Sequence, residues 1–487
     1  MTNEFDSSCP AGCLLIGDEV IEQASGGVYT HINPATGKAQ AEIPLAGVAE
    51  TEKAVATAKT AFEIWRGMPG RERAALLNRL ADLIKQNASE FQRLAVMEGG
   101  TPFSMAAGGA GLAEEWTRYY AGWADKLDGQ VVSSYPSDEF IYTLPEPYGV
   151  VGIIVTWNGP LISLGMKVIP ALAAGNTVVV KPAEQTPFVA AMFGKLALEA
   201  GIPAGVINIL PGAVESAQAL IGHPDVQKIS FTGGPVTARK ILHQCAELLK
   251  PSVMELGGKS ANIVFEDADL DSAAQHAATM SVGLLSGQGC ELPTRLLVQE
   301  SVYDEMVERV VAIAKALPIG DPRDVNTFIG PVINEEACER ILGMVERAKE
   351  SGAGRLVLGG ERLGGELADG FFLSPTIFAD VDPHSEIAQQ EVFGPVLVIQ
   401  KFSTEEEVID IANSTQYGLG GYIQTNDLKQ AHRVAAALRT GFVHINGSRN
   451  IPAHAPFGGL GLSGFGKEGG RPGLDEFVRL KTVSLAQ

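Results

Sequence analysis

The chain reads as an α/β protein with two parallel-sheet lobes and a small β extension. Three observations carry that reading. The run GVVGIIVTW (149–157) is continuously apolar and rich in β-branched residues, as in a strand buried on both faces. Beyond it, strand-like runs alternate with helix-like stretches of about 10–15 residues, the pattern of βαβ units around a parallel sheet. Glycine is in surplus, 56 of 487 residues, against roughly 7% in average chains, so many turns must pass close to another surface.

Taken in order, residues 1–13 read as a loose terminus. Residues 50–65 and 71–86 read as packing helices, with Thr51 placed to cap the first. In the second, Leu76, Leu77, Leu80, Leu83 and Ile84 share one helical face. After the strand at 149–157 come a helix at 160–174, a strand at 177–180, a helix at 187–200, a strand at 206–210, a helix at 215–221 and a strand at 226–231. The helix at 235–249 carries Pro235 at its first turn. A second series follows: strand 260–265, helix 272–285, strand 295–299, helices 302–316 and 335–349, strand 396–402, helices 404–412 and 428–438, and strand 441–445. The lobes meet near 255–260. Residues 130–143 alternate weakly, as a protruding strand pair would. Residues 477–485 read as a strand open to pairing, a partner chain's edge included.

Composition narrows the function classes. A hydrophobic fraction of 45% and a charged fraction of 19% allow a large core. The net charge is −20, with no basic run to offset it, which disfavours nucleic acid and anionic membrane surfaces as partners. The N-terminus has no basic segment leading into an apolar one, so no secretory signal is expected. The longest apolar stretches are too short or too broken to span a bilayer. Five cysteines (Cys9, Cys13, Cys245, Cys290 and Cys338) are too sparse for a disulfide framework and point to a reducing, cytoplasmic setting. Cys9 and Cys13 have no second Cys/His pair nearby, so no metal is expected.

Several residues stand where chemistry needs them. Cys290, in SGQGCELPTR, is crowded by small residues that let a substrate approach a thiol, whose thiolate is a strong nucleophile. Cys245 and Cys338 lie in helical patterns and read as core. Glu255, in MELGGK, follows a strand and precedes two glycines. Buried there, it would be a general base, and at an open turn merely a solvated carboxylate. Asn158, in VTWNGP, is either a neutral donor for an oxyanion or a turn residue. Lys181 and Glu184, in VVVKPAEQTP, are placed to reach ribose hydroxyls. The turn FTGGP opens a helix, where phosphates bind.

Together these segments resemble the aldehyde dehydrogenase superfamily over nearly the whole chain. The matching motifs are TWN (156–158), KPAEQTP (181–187), FTGG (231–234), MELGGK (254–259), GQGC (287–290), EVFGP (391–395) and PFGGLGLSGFGKEGG (456–470). The resemblance implies an aldehyde dehydrogenase-like fold: an NAD-binding domain (1–126 and 147–256), a catalytic domain (257–474) and a β oligomerisation arm (127–146 and 475–487), in a homodimer or homotetramer. It implies Cys290 as nucleophile, Asn158 with the Cys290 backbone N–H as oxyanion hole, and Glu255 as the base that activates water. Lys181 and Glu184 would hold the adenosine ribose and Glu391 the nicotinamide ribose, with Phe393 beside it. Trp157, Gly233 and Gly234 would lie near the pyrophosphate.

This chain departs from the family pattern in three places. Gly234 replaces the usual serine of the phosphate turn, and Gln390 an acidic neighbour of Glu391. Glu291 directly follows the nucleophile, where it would raise the thiol pKa or favour a substrate with a donor group. A carboxylate at Glu184 is unfavourable beside a 2′-phosphate, so NAD is expected over NADP. By motif position the pocket walls are Gly159, Ser163, Met166, Leu284, Glu291, Ile451 and Phe457, a roomy apolar tunnel for medium-chain, branched or aromatic aldehydes. The alternatives are a CoA-acylating enzyme, against which Glu255 argues, a semialdehyde dehydrogenase using Arg449, and a non-catalytic protein on the same scaffold.

Overall fold

The computed structural model describes residues 8–132, 138–447 and 451–486. Its first sheet has eight strands, in the order Glu19–Ile21, Leu14–Ile16, Ile207–Ile209, Thr177–Lys181, Val150–Ile154, Val226–Thr232, Ser252–Glu255 and Gly464–Phe465. The five from Ile207–Ile209 to Ser252–Glu255 run parallel, and antiparallel strands flank them. Val150–Ile154 shows why the run at 149–157 is unbrokenly apolar. Val151 and Ile153 face a core shared with Trp65, Leu80 and Phe193, while Val150 and Ile154 face another shared with Val55, Leu220 and Ile241. Alternate side chains point to opposite faces, and both faces are covered by helices.

The strand order reverses between Val150–Ile154 and Val226–Thr232, from which the chain winds outward in both directions. Such a switch point opens a crevice at the carboxyl ends of the strands. Trp157, Asn158, Gly233 and Gly234 follow those two ends directly.

The second sheet has seven strands: Arg355–Leu358, Thr376–Ala379, Val396–Phe402, Arg295–Gln299, Ala261–Val264, Gly420–Gln424 and Phe442–Ile445. All pair in parallel except Arg355–Leu358. The segment 256–260 joins the sheets: Glu255 ends a strand of the first, and Ala261 begins one of the second. The carboxyl ends of one sheet therefore approach the amino ends of the other. The second sheet offers its amino ends, since Cys290 and Glu391 precede the strands Arg295–Gln299 and Val396–Phe402.

Three expectations need correction. The terminus is not loose as far as residue 13, since Cys13 is already buried, and Leu14–Ile16 and Glu19–Ile21 then extend the first sheet. Thr51 does not cap the helix Val48–Gly67. Gly47 does, and the Glu50 carboxylate accepts from its N–H at 2.9 Å, while the Thr51 hydroxyl turns inward to the Gly47 carbonyl at 2.8 Å. The helix expected over 272–285 is regular only over Leu270–Ala278. It widens at Thr279–Gly283, and Leu285 and Ser286 then take left-handed backbone at φ 50° and 54°. The tail forms the strand expected of it and pairs within its own chain. Val478–Ala486 runs antiparallel to Glu139–Pro147 from Val478 opposite Pro147 to Ala486 opposite Glu139. Val131–Val132 adds a third strand, and residues 133–137 lie outside the described residues.

Candidate active site

A cavity of about 520 Å³ opens where the two sheets meet. Cys290 and Glu255 line it, with Asn158 and Thr232 from the switch point. The seven residues placed there by motif position (Gly159, Ser163, Met166, Leu284, Glu291, Ile451 and Phe457) also line it. Leu112, Ile162, Met280 and Leu292 make the rest of the wall largely apolar. Arg449 lies outside the described residues.

Cys290 and Glu255 stand together on the cavity wall, and each bears on the other's proton affinity. Burial, then the charges of Glu255 and Glu291, push the Cys290 thiol well above its ordinary value. Glu255 is 4% exposed, and its Oε1 has no protein partner. Burial and then Glu468 raise its carboxyl to about 8, opposed by Lys167 and the thiol. A base tuned near neutrality, on the same cavity wall as the thiol and with a free oxygen, can take a proton from the thiol or from water.

Asn158 is fixed through one amide proton, which its Nδ2 donates to the Gln288 carbonyl at 3.0 Å. An amide has two such protons, so one remains for a ligand. Gln288 is itself pinned, its Nε2 donating to the Leu285 carbonyl at 3.0 Å and its Oε1 accepting from Ile333 N–H at 3.0 Å. The left-handed residues 285 and 286 thus belong to a turn held from several sides, which is how strained backbone persists beside reactive groups.

Two glycines let the parts come together. A Cβ at Gly258 would sit 2.1 Å from the Cys290 carbonyl oxygen, and one at Gly257 would sit 2.1 Å from Glu391 Oε2. The Gly258 N–H donates to Glu391 Oε1 at 2.9 Å. Gly258→Ala is expected to shift the Cys290 main chain, lower kcat and cost about 1–3 kcal/mol of stability by overpacking. Steady-state kinetics and a denaturant titration check both effects.

On the other side of the crevice, Lys181 Nζ lies 3.7 Å from Glu184 Oε2 at the end of Thr177–Lys181. The Trp157 and Phe393 rings meet edge to face at 5.4 Å, with Phe393 in left-handed backbone at φ 51°. Gly233 N–H donates to the Glu255 carbonyl at 3.2 Å, and the helix Pro235–Glu247 starts after Gly234, where a Cβ would meet nothing within 4 Å. This donor set fits a dinucleotide: an ammonium and a carboxylate for one ribose, an open helix N-terminus for phosphates and Glu391 for the other ribose.

Some participants were missed from sequence. The Lys167 ammonium forms a buried ion pair with Glu468 and donates to Ser230 Oγ at 3.2 Å. A lone lysine in the apolar stretch PLISLGMKVIPALA was the available signal, because a buried cation requires a partner. Lys259 is also buried, with no hydrogen-bond partner for Nζ, and burial depresses it to about 7. Among the described residues no group of three His, Cys, Asp or Glu side chains suits a metal, and no helix is long and apolar enough to cross a membrane.

Residues 21–483 match the family model described as "Aldehyde dehydrogenase family". The chain is 42% identical over 473 residues to an aldehyde dehydrogenase of Emericella nidulans, covering 96% of this chain and 94% of that one. In structure it resembles a putative aldehyde dehydrogenase from Burkholderia cenocepacia, with TM-score 0.95, 39% identity and coverage of 98% and 97%. It also resembles the aldehyde dehydrogenase from Bacillus cereus solved as an NAD+ complex, with TM-score 0.95, 38% identity and coverage of 98% and 97%.

Proposed function

The chain belongs to the aldehyde dehydrogenase family, and from that premise we propose that it oxidises an apolar medium-chain, branched or aromatic aldehyde to the acid, with NAD as acceptor. One observation carries the reading: a thiol and a poised carboxylate together on the wall of a largely apolar cavity at the junction of two sheets.

Cys290 Sγ attacks the carbonyl carbon as its proton passes to Glu255. The new oxyanion is received by the spare Asn158 N–H and the Cys290 backbone N–H. The nicotinamide, when bound, supplies a hydride acceptor, so that the carbon bonded to Sγ becomes a thioester. Glu255 releases the thiol's proton to solvent and, as carboxylate again, deprotonates a water that attacks the thioester carbon. The C–S bond breaks, the carboxylate leaves, and Cys290 is regenerated. Lys181, Glu184 and Glu391 bind and orient the two riboses, with Trp157, Phe393, Gly233 and Gly234 framing the dinucleotide between them.

Asn158→Ala is expected to lower kcat by ~10²–10³, the usual cost of one oxyanion donor, with a smaller change in KM. The decisive assay is cofactor reduction with hexanal, citral, benzaldehyde and succinate semialdehyde, each with NAD and NADP. The reading expects the apolar aldehydes to lead and NAD to exceed NADP, since Glu184 repels a 2′-phosphate. A preference for the semialdehyde would sink the substrate class, and equal efficiency with NADP would sink the cofactor choice. The β arm supports assembly as a homodimer or homotetramer, since it leaves Val131, Leu480 and Leu485 more than half exposed, at 69%, 68% and 61%.

A further inference from the structure

Glu291 has no task in the chemistry just described, and it works against that chemistry. Its charge adds to that of Glu255 in holding the neighbouring Cys290 thiol protonated. An active site gains nothing from a second carboxylate beside its nucleophile unless that group serves something else.

Its surroundings narrow what that is. Glu291 lines the cavity together with Leu284, Leu292 and Met280. Among the described residues nothing donates to its carboxyl and no cation pairs with it. The Tyr422 hydroxyl comes near but donates to the Glu291 main-chain carbonyl, at 3.1 Å, which fixes the backbone and leaves the side chain free. Burial alone raises the carboxyl to about 7, with no hydrogen bond or counter-charge contributing. A half-buried carboxyl that faces an apolar cavity without a protein partner loses part of its hydration, and a ligand that brings a donor makes that loss good.

We propose that Glu291 is a specificity-determining residue, selecting aldehydes that carry a hydrogen-bond donor within the first few carbons of the carbonyl while the apolar walls take the remainder. The inference rests on the aldehyde-oxidising reading and names the substrate class within it. Position sets the reach: consecutive Cα atoms lie about 3.8 Å apart, so the carboxyl next to Cys290 serves the carbons nearest the reacting one. A hydroxyl and a protonated amine share the required chemistry.

The test compares matched substrates within one enzyme. Wild type is assayed with butanal, β-hydroxybutanal and β-methoxybutanal, and with propanal against β-aminopropanal. A donor to a charged acceptor is expected to raise kcat/KM roughly 10- to 100-fold over the parent aldehyde, mainly through KM, and the methoxy compound, which has no donor, is expected to gain nothing. In Glu291→Leu the donor preference disappears. In Glu291→Gln the hydroxyl preference persists in part, through the amide oxygen, whereas the amine preference is lost. Each ratio is taken within one protein, so a general loss of activity or of folded enzyme cancels. Alkylation of Cys290 by iodoacetamide supplies an independent readout, with a pH profile that moves to lower pH in Glu291→Gln. Butanal oxidised as well as its hydroxylated partner and propanal as well as its aminated one, a preference that survives Glu291→Leu, or an unmoved alkylation profile would overturn the proposal. Failure of every aldehyde to reduce NAD would instead overturn the reading beneath it.

Discussion

Cys290→Ala is expected to abolish aldehyde-dependent reduction of NAD, with a loss in kcat/KM on the order of 10⁴-fold or more, as when a covalent nucleophile is removed. The other thiols cannot take its place. Cys245 and Cys338 are buried in the helices Pro235–Glu247 and Glu335–Glu350, and Cys13 is buried beside the first sheet. Cys290→Ser is expected to be nearly as inactive, because a carboxyl poised near 8 matches a thiol far better than a hydroxyl. Thermal unfolding should be little changed in Cys290→Ala, which removes one sulfur from a cavity wall. Stopped-flow absorbance of the reduced nicotinamide is the direct measurement, and a surviving burst in Cys290→Ala would end the covalent scheme.

Glu255→Gln is expected to lower steady-state turnover by ~10²–10⁴, the range for a positioned general base. The pre-steady-state trace should distinguish its two duties. Loss of the thiol's proton acceptor slows the burst, and loss of the water's proton acceptor leaves acylated enzyme that turns over still more slowly. The intact protein should then carry the acyl mass on Cys290 after quenching. The pH dependence has a definite sign. Glu255 accepts a proton only as carboxylate, so kcat/KM should rise as pH climbs through about 8 and be low well below it. Glu255→Gln should flatten that limb. A rising limb unchanged in the variant would assign the ionisation to another group.

Local readings succeeded where the residues themselves carry the constraint. Val150–Ile154 must pack on two faces, and its β-branched run declares that. The helix Gly70–Gln86 has one buried stripe, with Leu77, Leu80 and Ile84 all at 0% exposure, and the leucine spacing declares it. Readings failed where a distant neighbour decided the outcome. The periodicity through 272–285 continues past the point where the helix ends, because the left-handed turn at Leu285 and Ser286 is held by Gln288 and the Ser286 hydroxyl donates to the Gly330 carbonyl at 2.8 Å. Thr51 looks like a cap, but Glu50 takes that role by folding back onto Gly47. Lys167 and Glu468 are 301 residues apart, and no local pattern joins them.

The sequence by itself determined the two α/β lobes and the thiol and carboxylate offered for chemistry, because residue type and short-range spacing suffice for each, while the pocket walls came from the resemblance to the family. Only the tertiary structure decided that the carboxyl ends of one sheet meet the amino ends of the other, that the thiol and Glu255 share one cavity wall, and that Glu291 lines the same cavity without a protein partner among the described residues. The physical reason is desolvation. A group's proton affinity and its need for a partner depend on what encloses it, and the enclosure is built from segments that lie far apart along the chain.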